Sequence, residues 1–88
     1  MQSKVLSAFS NIVRLKLILC LSNGDKNVTQ LIKNCGLSQS AVSQHLEKLR
    51  NAGLVTTKKE GKEIYYMLIY PEAITLSKDL LTFVTKIH

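Results

Sequence analysis

The stretch from Leu37 to Arg50, LSQSAVSQHLEKLR, constrains the fold of this chain more than any other. Ser38 stands at its start as a helix N-cap, where a serine oxygen can accept from a free backbone N–H of the first turn. At roughly 100° per residue, Val42, Leu46 and Leu49 fall on one face, with Ala41 and His45 at its edges. Ser40, Ser43, Gln44 and Glu47 point the other way, flanked by Gln39 and Arg50. One side of this helix must be buried. The other offers short hydrogen-bonding groups and no carboxylate before Glu47.

The neighbouring segments narrow the architecture. Asn27 caps a helix from Val28 to about Cys35, with Val28, Leu31 and Ile32 on one face, and Gly36 stops it at a positive φ. Two helices joined by Cys35-Gly36-Leu37 carry the helix-turn-helix signature. After Gly53 the pattern becomes β-rich and alternating, over 54–59 and 63–68. Glu60-Gly61-Lys62 between them reads as a three-residue hairpin loop. Upstream, residues 3–9 form a short helix that cannot persist alone. Asn11 caps a second helix to about Ser22, almost wholly apolar from Leu15 to Leu21 and so the central buried one. Asn23-Gly24-Asp25 ends it. Pro71 opens a last helix, Glu72 to about Ile87. The expected fold is mainly α with a small β-hairpin. It is a winged helix-turn-helix of order α1-α2-α3-α4-β-β-α5, in one domain over residues 1–88.

Charge indicates a partner. Twelve Lys and Arg against six Asp and Glu give a net charge of +6, which favours a polyanion. The segment 48–62 concentrates it, with Lys48, Arg50, Lys58, Lys59 and Lys62 against Glu60 alone. A reading helix beside a basic hairpin points to duplex DNA. Gln39, Ser40, Ser43 and Gln44 are placed to meet base edges, Gln best for adenine. Ser38, Arg50, Lys58, Lys59 and Lys62 are placed for phosphates. His45 has two readings: tucked against the core on a backbone carbonyl, or turned towards a phosphate. Tyr65 and Tyr66 point to opposite faces of the hairpin.

Other chemistries find no support. The chain shows no nucleophile–base–acid set, no phosphate-cradling glycine loop and no zinc-ligand spacing, so neither an enzyme nor a cofactor or metal is expected. Its apolar runs are too short to span a membrane, and no secretion signal is evident, which makes the cytoplasm the expected home. Cys20 and Cys35 form no disulfide framework; packing as small hydrophobes is expected of both. A short chain buries only about 60–65% of its unfolded surface. Val5, Leu6, Phe9, Leu76, Leu80, Phe83, Val84 and Ile87 are therefore read as a homodimer interface, presenting two reading heads to a palindromic operator.

These features together resemble a known family. Arg14-Leu15-Lys16-Leu17-Ile18-Leu19, the run Leu37 to Leu46, Leu49-Arg50-Asn51-Ala52-Gly53-Leu54-Val55 and the hairpin from Lys59 to Leu68 are similar to the ArsR/SmtB bacterial repressors. The non-metal HlyU- and BigR-like branch is the nearest in reading helix and wing. The resemblance implies a dimer built from the first and last helices, entry of helix 38–52 into the major groove, and a wing that grips the backbone. Some members of that branch pair a thiol on the second helix with one on the last, where this chain has none. Two alternatives accompany this reading: a winged-helix protein-interaction module, and a thiol-responsive regulator using Cys20 and Cys35.

Overall fold

The structure is a computed structural model and describes residues 2–87. Its elements in chain order are α1 (Gln2–Ala8), α2 (Ile12–Cys20), a 3₁₀ turn (Leu21–Asn23), α3 (Val28–Cys35), α4 (Gln39–Asn51), β1 (Val55–Glu60), β2 (Glu63–Leu68) and α5 (Glu72–Ile87). This is the winged helix-turn-helix order.

Local chemistry sets most boundaries. Asn11 Oδ1 accepts from the backbone N–H groups of Val13 and Arg14, which fixes the start of α2. Asn27 and Gln30 make a reciprocal box at the start of α3, each side chain accepting from the other's backbone N–H. Gly36 closes α3 at φ +67°, its N–H donating to Ile32 O, and this left-handed step turns the chain into α4. The α2 helix tightens to 3₁₀ at Leu21, sooner than its apolar run suggested.

One core forms between these helices and the hairpin. Leu17, Ile18 and Leu21 of α2 and its extension meet Leu31 of α3, then Val42, Leu46 and Leu49 of α4, with Leu54, Val55, Ala8 and Ala73 closing the sides. Each fully buried leucine contributes about 1.5–3 kcal/mol relative to exposure. The α5 helix packs against α2.

The hairpin is antiparallel, with Val55 opposite Leu68 and Glu60 opposite Glu63. Glu60 is thus the last residue of β1, and the loop is the two-residue Gly61-Lys62 rather than the expected three. Gly61 takes φ +61°, and glycine at the first loop position matches the twist of the flanking strands.

Candidate nucleic-acid interface

The α4 helix sits with Val42, Leu46 and Leu49 fully buried and Gln39, Ser40, Ser43, Gln44 and Glu47 exposed. Ser38 Oγ accepts from Ala41 N–H at 3.3 Å, so its first task is to cap the helix. Among the described residues, no protein hydrogen bond engages the side chains of Gln39, Ser40, Ser43 or Gln44. Arg50 lies at the far end of this face with Nη1 3.6 Å from Glu47 Oε2. An exposed pair of that kind holds by well under 1 kcal/mol and yields to a stronger anion. At α4's edge is a residue that sequence reasoning passed over as part of a motif. Arg14, in the first turn of α2, is 95% buried and forms no salt bridge among the described residues. Its Nε donates to Ala8 O at 3.1 Å and Nη2 to Ser7 O at 2.7 Å. These are carbonyls of the last turn of α1, and Ser7 O also accepts from Ser10 N–H and Ser10 Oγ. Its Nη1 is 3.0 Å from His45 Nδ1. The histidine therefore pairs through Nδ1 with an arginine rather than with a backbone carbonyl. Burial lowers the His45 pKa below its usual 6.5, helped by the positive charges of Arg14 and then Lys48.

The wing is tied to the loop before α3. Lys26 N–H donates to Tyr66 O and Tyr66 N–H to Lys26 O, and Tyr66 packs against the core. Asn27 Nδ2 donates weakly to Glu63 Oε2 at 3.5 Å. Lys58 Nζ stands 3.6 Å from Glu60 Oε2 and 3.8 Å from Asp25 Oδ2. Of the three wing lysines, Lys58 is thus engaged within the chain, whereas Lys59 and Lys62 are exposed and form no salt bridge among the described residues. The sequence showed three equivalent lysines; it did not show that the loop before α3 brings Asp25 to one of them.

Comparison with known proteins settles the family. The model of the bacterial regulatory protein arsR family matches residues 12–57, which hold α2, α3, α4 and the first half of β1. The chain belongs to the arsR family. The transcriptional activator HlyU of Vibrio cholerae is 42% identical over 64 residues, covering 73% of this chain and 59% of its own length. The crystal structure of the transcriptional repressor BigR from Xylella fastidiosa superposes with a TM-score of 0.79 at 34% identity, over 92% of this chain and 83% of that one. The solution structure of a homodimeric winged helix-turn-helix DNA-binding domain from Mycobacterium bovis, a possible ArsR-family regulator, gives 0.76 at 26% identity, over 96% of this chain and 77% of that one. The chain spans about half the length of the curated relatives it matches.

In this arsR-family chain the expected interface residues divide. Leu6, Leu76, Phe83 and Ile87 are large and exposed, at 72%, 46%, 59% and 60%. Val5, Leu80 and Val84 are half-buried. Phe9 packs against the chain's own core. The side of α5 that faces α2 is lined instead by Ala73 and Ser77.

The two cysteines depart further from expectation. Cys20 closes α2 and Cys35 closes α3, and the structure joins them in a disulfide with Cα atoms 6.6 Å apart. Both are half-buried against the core, so the packing expected of them holds, but they are not two independent thiols. Fifteen residues separate them in sequence, and only the turn after α2 brings them together.

Proposed function

We propose that this chain is the DNA-binding and dimerisation domain of a cytoplasmic transcriptional regulator that represses by occupying a palindromic operator. The observation that carries the reading is the exposed side of α4: Gln39, Ser40, Ser43 and Gln44 stand exposed on a helix anchored by three fully buried residues, beside a wing whose Lys59 and Lys62 are exposed and form no salt bridge among the described residues. Amide and hydroxyl side chains on a helix match base-edge donors and acceptors of the major groove, and free lysines match phosphates. The relatives include an activator and a repressor of transcription, so regulation of transcription is the common element. The large apolar residues left exposed on α1 and α5 suit a second copy of the chain, in keeping with the homodimeric Mycobacterium domain.

Selection of duplexes from a random library, followed by anisotropy titrations, tests this. Gln44→Ala is expected to weaken the selected duplex by about 1–3 kcal/mol and to relax its specificity, while Lys59→Ala weakens all duplexes and lowers the salt slope by about 1. If both variants bind as wild type does, the assignment of α4 and the wing is wrong.

A second reading is favoured by the Cys20–Cys35 bond. It clamps the end of α2 to the end of α3, one residue before the glycine that aims α4. In this reading the regulator is thiol-responsive: a hydroperoxide takes two electrons and two protons from the thiols, leaving the disulfide, an alcohol and water. Operator affinity that is identical for oxidised and reduced protein would remove this reading and leave the first intact.

A further inference from the structure

We infer that Arg14 is a positioning residue that holds His45 as a neutral Nε2–H donor aimed at an acceptor on the bound duplex; this rests on the DNA-binding reading above. A guanidinium carries five donors and accepts nothing. At 3.0 Å from Arg14 Nη1, His45 Nδ1 must therefore be the acceptor and carry no proton. The ring's single proton then lies on Nε2, opposite. No protein group among the described residues bonds to that nitrogen, and the half-buried ring keeps an outward edge.

Arg14 is itself held from three sides. Ser7 O and Ala8 O fix two arms of the guanidinium, and the third reaches His45, so α1, α2 and α4 meet in one planar group. A buried cation without a carboxylate is costly. The helix-end carbonyls offset that cost, and they leave Arg14 rigid rather than drawn to solvent. The charged groups that act on the ring are both positive: Arg14 from α2 and Lys48 from α4. Burial first, and then these two charges, lowers the ring's pKa and favours its neutral form. His45 lies seven residues beyond the Ser38 cap, at the border between the buried stripe and the exposed face. The donor accordingly meets either a base acceptor, such as guanine O6 or N7, or a phosphate oxygen.

Two measurements test this. Nitrogen-15 ring shifts of His45 in the free wild-type protein, assigned by their loss in His45→Phe, should show an unprotonated Nδ1 and a protonated Nε2. Arg14→Lys keeps the charge but loses the fork, and should give a mixture of tautomers. With a duplex selected by the wild type from a random library, His45→Phe should weaken binding by roughly 10-fold, the scale of one hydrogen bond, and by more where the acceptor is a charged phosphate. Arg14→Lys should fall towards that value, and the double variant should be no weaker than His45→Phe alone. A loss confined to the selected duplex marks a base acceptor; an equal loss on unrelated duplexes marks a phosphate. A protonated Nδ1 in the wild type, full affinity of His45→Phe, or additive losses would overturn the inference while leaving DNA binding standing. Failure of the wild type to select any duplex would overturn both.

Discussion

Helices α4 and α5 carry similar amphipathic patterns and put them to opposite use. In α4 the large apolar residues, Val42, Leu46 and Leu49, are fully buried in the chain's own core, and the exposed face is amide and hydroxyl. In α5 the residues buried within the chain are small, Ala73 and Ser77, while Leu76, Phe83 and Ile87 stand out in solvent. The first arrangement fixes the orientation of a polar face; the second leaves an apolar face for another surface to cover. Apolar periodicity alone does not say which of the two a helix adopts. What decides it here is that α4 is enclosed by α2, α3 and β1, whereas α5 lies over α2 at the edge of the molecule.

The contrast can be broken most forcefully through stability. Leu46→Ala removes a fully buried side chain and is expected to cost about 2–5 kcal/mol in urea unfolding. Phe83→Ala should cost far less within one chain and should instead move sedimentation towards the monomer. Equal losses from the two substitutions in a monomeric sample would abolish the distinction. Next in size is the link beneath α4. Reducing the Cys20–Cys35 bond is expected to lower stability by about 3 kcal/mol, the loop-closure scale for some 15 residues, which oxidised and reduced melting curves would show. Gln44→Ala follows, at the 1–3 kcal/mol of specific binding given above; a comparable effect from Thr82→Ala on the exposed side of α5 would mean that α4 is not the reading element.

The smallest effect is that of pH. The folded state lowers the His45 pKa, chiefly by burial and then by Arg14 and Lys48. Between the folded value and the unfolded 6.5, the unfolded chain binds more protons. The contribution of His45 is therefore fully present above about pH 6.5, and it is lost as pH falls through the folded value. Urea midpoints of wild type should decline across that window more than those of His45→Phe. Parallel declines would mean that the ring is not held as the structure has it.

Much of this was readable from residue order because the information is local. Asn11, Asn27, Ser38 and Gly36 act on atoms within four residues, and the helices begin and end where those residues require. The exposed face of α4 was readable for the same reason. What escaped depends on chain segments meeting in space. Arg14 reads as an ordinary surface cation until the bend between α1 and α2 lays the carbonyls of Ser7 and Ala8 against it. Its signal was an arginine in the first turn of a mostly apolar helix. Lys58 is separated from its sister lysines by Asp25, more than thirty positions away. The cysteine pair and the small-residue face of α5 are likewise products of how α2 is enclosed.

The central claim is that the Gln- and Ser-bearing side of α4 reads duplex DNA while the wing lysines hold its backbone. The most direct measurement is the affinity of purified protein for a duplex selected from random sequences, against an unselected duplex, across a series of salt concentrations. The account predicts a clear preference for the selected duplex and, for both, a log affinity that falls linearly with log salt. Equal and salt-insensitive binding to the two duplexes, or none, would contradict it.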